Sequence, residues 1–468
     1  MVKKYVGIDL LKIYKKDICK GDIHATLAWG DPIESINTTE VEISTPEGKK
    51  KGFIRSEDFL VAEANVVKYA QVDVEQGDAS ILEHPNGKIM IIDGGRTDLL
   101  GRYLATRYQD TSSEKPLDIE TIIITHFDAD HFQGFNELHK NNKRLLARKK
   151  IFIYPKGIYH NGLIKIVNRK IHEDNGEKYI SNLVDDFTND PDEQISEDFT
   201  EFKKTVKEWK EKYGDIKIKR IAFNNDNVFN SFNNEDFSIK VLNPHENEFN
   251  DQLMLSTFTK ESQKKLKKNE SENIENTKKI ELGSIINANS VVLQIKYGNV
   301  ALLLTGDINT KSQNFLVKKF KNHQTSLKSE ILKVPHHGSS DFSKDFLAKV
   351  SPIISLISSG DEPGAEYIHP RAVLIGALGK FSRIDEPIIL ITELAAFIQS
   401  IKEPKEILES LKEKILNLFQ KKTPGILHVR FNKNRILVFT HSGKKGKKEV
   451  YTFKYKDNAW SPDVIVAK

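Results

Sequence analysis

The run Thr125-His126-Phe127-Asp128-Ala129-Asp130-His131 constrains this chain more than any other feature. A predicted strand, Thr121 to Thr125, delivers four side chains able to bind a cation within six residues, and the pattern turns helical near Phe132. Imidazole and carboxylate together suit zinc, manganese or iron. A short strand-to-helix turn can aim alternate side chains at two ions while the helix holds the backbone still. The plain alternative is a solvated acidic turn with two incidental histidines, and it loses ground because the run has partners downstream.

The first partner is Leu302-Leu303-Leu304-Thr305-Gly306-Asp307, an apolar strand whose terminal carboxylate can bridge two cations. The second is Leu332-Lys333-Val334-Pro335-His336-His337-Gly338-Ser339-Ser340, where Pro335 and Gly338 set a tight turn. Neighbouring histidines on such a turn point in different directions, so one binds metal while the other packs or acts on substrate, and we favour His336 as the ligand. Lys333, Ser339 and Ser340 lie beside the expected substrate face and could hold a phosphate, the plain alternative being ordinary surface residues. The last partner is His369 in Tyr367-Ile368-His369-Pro370, at another strand-to-helix loop.

Composition narrows the chemistry. The single cysteine, Cys19, rules out an intrachain disulfide and a thiolate-rich zinc site, which leaves histidine and carboxylate as ligands. The net charge of +5 comes from 71 basic and 66 acidic residues, too balanced to mark a nucleic-acid binder by itself. No apolar run approaches the ~18–20 residues needed to span a bilayer, and a cytoplasmic protein is expected.

A chain of 468 residues exceeds the ~250–300 at which single domains stop growing, so accessory parts are expected. Residues 1–65 alternate short strand-like runs with turns and resemble a small SH3-like β unit. Residues 66–440 alternate strands and helices, with polar insertions at about 160–235 and 246–286, and 441–468 form a C-terminal β extension. Phe199, Phe202, Val206, Trp209 and Tyr213 recur at helical spacing and predict a helix packed on the core. A further helix is predicted over Pro404 to Phe419, and a mobile polar loop over Glu261 to Lys279.

With these motifs in order, the chain resembles the metallo-β-lactamase superfamily, and within it the stand-alone hydrolase domain related to the DNA-uptake competence protein ComEC. The resemblance runs through Val72 to Ser80, Met90 to Gly95, Thr125 to Gly134, Asn287 to Ser290, Thr305 to Asp307, His336 to Ser339 and His369-Pro370. It implies an α/β fold, a four-layer αβ/βα sandwich with two metals at one edge, and an aspartate in Met90 to Gly95 that supports the ligands. It also implies that His126 and Asp128 favour one ion, Asp130 and His131 the other, with Asp307 between them, and that His336, His337 and His369 complete the site or help the substrate. Asp130, His337 and Lys333 are the residues expected to take part in catalysis. Asp128 stands where many superfamily members have a second histidine, which tilts the preference from zinc toward manganese. His245 is a weak candidate for the superfamily's middle histidine ligand.

The implied activity is metal-dependent hydrolysis, with phosphodiester cleavage of DNA or RNA as the leading expectation. Lys140, Lys143, Arg144, Arg148, Lys149 and Lys150 follow the ligand helix and could track a phosphate backbone, the plain alternative being a solvated charged face. Hydrolysis of a small ester, thioester, lactone or cyclic nucleotide is the alternative within the fold. A metal-containing module that binds a protein partner through the N-terminal segment is the alternative outside catalysis.

Overall fold

Two sheets pack face to face around a shared apolar core. The computed structural model describes residues 1–45, 48–142, 150–164, 171–189, 196–258, 282–360, 369–397, 419–422, 425–441 and 449–467. One sheet has ten strands, in the order Lys217–Arg220, Gly157–His160, Thr121–Ile124, Ile89–Gly94, Ala79–Glu83, Val67–Gln71, Ile426–Phe431, Arg435–His441, Glu449–Lys456 and Ala459–Ala467. The other has six, in the order Phe237–Asn243, Val292–Tyr297, Val300–Leu304, Ile331–Lys333, Ile354–Ile357 and Ile388–Ile391.

Strand periodicity sorts the side chains into layers. Met90, Ile92 and Ile123 from the first sheet meet Ile239, Leu293, Leu302, Leu304 and Leu356 from the second in one core. The alternate residues Ile91, Ile122 and Ile124 face outward onto Leu100 and Leu104, Phe132 and Phe135, and Phe202 and Val206. These come from the helices Leu99–Arg107, Ala129–Asn141 and Glu197–Tyr213. On the far side, Leu303, Leu332 and Ile357 pack against Leu316, Phe346, Leu347, Leu374 and Leu378 of three further helices. The result is a four-layer αβ/βα sandwich. Strands Thr121–Ile124 and Val300–Leu304 are buried along their whole length, which is why they read as continuous apolar runs.

The aromatic helix over the polar insertion is present as Glu197–Tyr213, and Phe199, Phe202, Val206 and Trp209 are buried in the outer core. The strand Val67–Gln71 leads into a loop that bends through Glu75 and Gly77, both at positive φ. The predicted helix from Pro404 and the loop Glu261 to Lys279 lie outside the described residues, except that Phe419 opens a short strand, Phe419–Lys422. Of the basic run after the ligand helix, Lys143, Arg144, Arg148 and Lys149 also lie outside them.

Residues Val2 to Val61 build a separate seven-stranded sheet around Val6, Leu11, Ile13, Ile33, Val41 and Ile43. It packs on the C-terminal part of the ten-stranded sheet, with Ala28, Trp29 and Val66 against Leu437 and Phe439. Asp31 anchors this docking: its Oδ1 accepts from Arg107 and from Arg430, both at 3.1 Å, and its Oδ2 from the Ala28 amide at 2.9 Å. Arg107 also reaches Glu83, which accepts from Tyr108 Oη at 2.6 Å and pairs with Lys68 at 3.0 Å. Burial alone would push the Asp31 carboxyl up, but the guanidiniums of Arg430 and Arg107 and the Lys68 ammonium bring it down to about 2.

An acid-sensitive seam follows. Because the folded pKa lies below the unfolded value, the Asp31 pairing contributes fully above about pH 4 and is lost as the pH falls toward 2. Its contribution is ~2 kcal/mol. Asp31→Ala should cost about 3 kcal/mol at neutral pH, since two buried guanidiniums lose a shared partner. Urea unfolding at pH 6 and pH 3 should show that the variant has a smaller pH dependence than the parent; equal dependence would reject the anchor.

Candidate metal centre

The ligand-bearing loops gather at the carboxyl ends of the parallel strands, the edge at which α/β sheets place their sites. Asp93 closes the strand Ile89–Gly94, and its carboxylate accepts from the Thr125 amide and the Thr125 hydroxyl, both at 2.7 Å. Its Oδ2 also lies 2.9 Å from His131 Nδ1. A carboxylate only accepts, so Nδ1 is the protonated nitrogen and the lone pair of Nε2 faces the cluster. Gly77 lets the preceding loop lie against this turn: at φ +108 it has no side chain to clash, whereas a Cβ there would sit 2.1 Å from the Asp130 carbonyl oxygen.

The second half of the chain supplies the opposing wall. Gly306 (φ +52) lies so close to Ser290 that a Cβ would come within 2.7 Å of its side chain, and this approach lets the Asp307 amide donate to Ser290 Oγ at 3.1 Å. His336 and His337 both adopt the left-handed conformation, at φ 48 and 51, a strain of ~1–2 kcal/mol per residue. Their rings consequently diverge. His337 Nδ1 donates to the Ser358 carbonyl at 3.2 Å, and its Nε2 lies 3.2 Å from Asp307 Oδ2 and 3.6 Å from Asp130 Oδ2. His131 Nε2 stands 3.5 Å from Asp307 Oδ2 and 4.0 Å from Asp130 Oδ1.

These spacings fit a divalent cation. A tetrahedral ion with bonds of ~2.0–2.2 Å places its ligands ~3.3–3.6 Å apart, close to the observed separations. His131 Nε2, His337 Nε2 and Asp307 Oδ1 are buried without a hydrogen-bond partner, an expensive arrangement unless a cation shares their lone pairs. Asp78, His131, Asp307 and His337, all buried, bring ligand atoms within 4.8 Å of one another. Burial by itself would strip the proton from His337, but Asp307 and Asp78 push its pKa up to about 10; His131 is likewise raised, against burial, by Asp307, Asp93 and Asp130. The carboxylates that retain those protons form a trap for positive charge.

His126, Asp128, His336 and His369 form the outer part of the cluster. His126 is fully buried, with Nδ1 3.3 Å from Ser290 Oγ and Nε2 3.8 Å from Asp128 Oδ2. With its amide oriented to satisfy its bonds, Asn287 donates to that same Asp128 oxygen at 3.2 Å. His336 is 30% exposed and its Nε2 is 4.0 Å from Asp307, so it sits at the rim, with its ring 5.8 Å from that of His369. Burial lowers the pKa of His336, and that of His369 to about 4, which leaves both imidazoles neutral and able to donate a lone pair.

The structure revises three expectations. His337, rather than the favoured His336, lies closer to the carboxylates: its Nε2 is 3.2 Å from Asp307 Oδ2, against 4.0 Å for that of His336. Lys333 does not face a substrate: its ammonium is buried, pairs with Asp78, and donates to the Gly306 carbonyl at 3.1 Å. His245 is outside the centre, its ring packed 4.5 Å from that of Phe223 and its pKa lowered by burial to about 4. Sequence reasoning gave no site role to Asp78, although it lies in a quoted motif, nor to Arg371. Arg371 is exposed two residues beyond His369, whose pKa its charge helps to lower.

Residues 72–199 match the metallo-beta-lactamase superfamily, and this stretch carries Asp78, Asp93, His126, Asp128, Asp130 and His131. That stretch, a minority of the chain, is similar to a metallo-β-lactamase domain. Curated relatives include the competence protein ComA of Neisseria gonorrhoeae, 41% identical over 85 residues (18% of this chain), and ComE operon protein 3 of Bacillus subtilis (strain 168), 30% identical over 97 residues (20% of this chain). The similarity spans 12% of the length of each relative. Among solved structures, a metal-dependent hydrolase of the beta-lactamase superfamily aligns with 69% of this chain and 95% of its own, at 10% identity and a TM-score of 0.32. A long form RNase Z from yeast aligns with 63% of this chain and 36% of its own, at 8% identity and a TM-score of 0.27. Asp307, His336, His337 and His369 lie beyond the matched residues, and the second half of the fold brings them to the metallo-β-lactamase edge.

Asp93 holds the ring of His131 from behind the cluster, with its own oxygens turned to Thr125 and His131. Asp93→Ala should therefore weaken divalent-cation binding by about 10–100-fold, the usual effect of removing a partner that orients a ligand histidine. Titration of the metal-free protein with zinc, read by competition with a chromogenic chelator, checks this; unchanged affinity in a folded variant would show that His131 does not depend on Asp93.

Proposed function

We propose that this protein is a metal-dependent phosphodiesterase acting on DNA or RNA. The observation that carries the reading is the donor set: Asp130, Asp307, His131 and His337 face one another at 3.2–4.0 Å, a cage for a divalent cation at an edge where His336 and Arg371 reach solvent. His126, Asp128, His336 and His369 would hold a second ion beside it. When bound, such a pair lowers the pKa of a water and neutralises charge on a phosphoryl oxygen. The carboxylate-rich set favours a hard ion, manganese ahead of zinc.

The side chains divide the remaining tasks. Asp130, on the first turn of its helix, directs one oxygen toward His131 and the other toward His337, and it orients the attacking water and receives its proton. Arg371, exposed beside His369, offers a cation to the substrate phosphate. The similarity to a protein named for competence adds support to the phosphodiester assignment.

Asp130→Ala combined with His131→Ala should abolish manganese-dependent cleavage of bis-p-nitrophenyl phosphate and of a panel of single- and double-stranded DNA and RNA, with the protein still folded. Full activity in that variant would place the chemistry elsewhere. A parent protein that cleaves fluorogenic esters and ignores every phosphodiester would reject the substrate class. Arg371→Ala should raise KM for the phosphodiester about tenfold, the scale of one charge-assisted contact, without changing metal content. An unchanged KM would remove Arg371 from the substrate face.

A further inference from the structure

Beneath the donor cage lies a charge arrangement that the proposed hydrolysis does not use. Lys333 ends the strand Ile331–Lys333 and its side chain is 5% exposed. Its ammonium contacts Asp78 Oδ2, donates to the Gly306 carbonyl at 3.1 Å and lies 3.8 Å from Asp307 Oδ1. Asp307 is thus divided between two sides: Oδ1 faces the ammonium, and Oδ2 faces His131, His336 and His337. Asp78, which would otherwise be one more carboxylate at the centre, has one oxygen engaged by the lysine. The other, Oδ1, points toward His337 Nδ1 at 3.6 Å.

We propose that Lys333 is a built-in cation and a positioning residue: paired with Asp78, it orients Asp307 and offsets one carboxylate charge, thereby setting how strongly the centre attracts divalent ions. Two oxygen acceptors, Asp78 Oδ2 and the Gly306 carbonyl, hold the ammonium, and Asp307 Oδ1 feels its charge from 3.8 Å. Unlike a bound metal ion, an ammonium is covalently fixed, so it does not exchange with solvent. The Asp78–Lys333 pair joins the loop after Val67–Gln71 to the strand Ile331–Lys333, and so ties the two halves of the sandwich directly under the ligands.

The inference rests on the metal-centre reading, and a charge cycle tests it without reference to activity. Manganese and zinc affinities are measured by chelator competition on the metal-free full-length parent, Lys333→Met, Asp78→Asn, the double variant and Lys333→Arg, each checked for folding by circular dichroism. Lys333→Met should bind about tenfold tighter or more, because one buried positive charge has gone from beside Asp307, and Asp78→Asn should bind weaker by a similar factor. The double variant, with a neutral pair, should return toward the parent, and Lys333→Arg should stay near it. If Lys333→Met leaves affinity unchanged, or if both single variants weaken binding and the double is no better, the proposal is overturned and the pair is simple packing. Should a single variant fail to fold, the double variant and Lys333→Arg still decide: both must bind near the parental affinity. A parent that binds neither ion overturns the metal-centre reading and this inference together, whereas a parent that binds while the cycle stays flat overturns only this inference.

Discussion

Crowding of buried carboxylates at one sheet edge is the constraint on which the rest of this structure depends. Asp78, Asp93 and Asp307 are almost wholly enclosed, and Asp130 is only partly open to solvent. Removing several like charges from water is costly unless each meets a cation or a donor. Each solution found here is different. Asp93 is satisfied by the Thr125 amide, the Thr125 hydroxyl and His131. Asp78 has Lys333. Asp130 and Asp307 meet imidazoles whose remaining lone pairs converge with their own oxygens, and this makes the edge a receptor for a divalent ion.

That receptor needs both halves of the sandwich. The first supplies Asp93, His126, Asp130 and His131 from strands and a helix start; the second supplies Asp307 and His337 from two neighbouring parallel strands. Neither half alone could enclose the cluster. The apolar layer between the sheets holds the two walls in register, and the Asp78–Lys333 pair repeats that connection at the level of the ligands. The N-terminal sheet has a comparable structural task at a distance: it forms the outer layer over the C-terminal strands, fastened through Asp31 to Arg107 and Arg430.

Much of this was legible in the chain. Continuous apolar strands such as Thr121–Ile124 and Val300–Leu304 announced sheets buried on both faces, and polar ligating residues immediately after them announced a site at the strand ends. The aromatic spacing from Phe199 to Trp209 located a helix inside a polar insertion, because a 3.6-residue period survives any surrounding composition. Local pattern therefore carried the alternation of strands and helices and the candidate ligand runs, whereas the four-layer arrangement came with the family resemblance.

What local pattern could not carry was direction. His336 and His337 are neighbours in a single turn, and only left-handed backbone at both residues decides that His337 turns inward while His336 stays at the rim. Lys333 reads as a surface cation beside a ligand loop, yet a carboxylate 255 positions earlier draws it into the interior. Arg371 acquires meaning only through its nearness to His369 at the open edge. The sequence by itself determined which chemical groups are present and which ends of which strands they occupy, because those follow from residue type and short-range period. The tertiary structure decided which groups face one another, because long-range electrostatic pairing and backbone strain are settled only when distant segments share the same buried space.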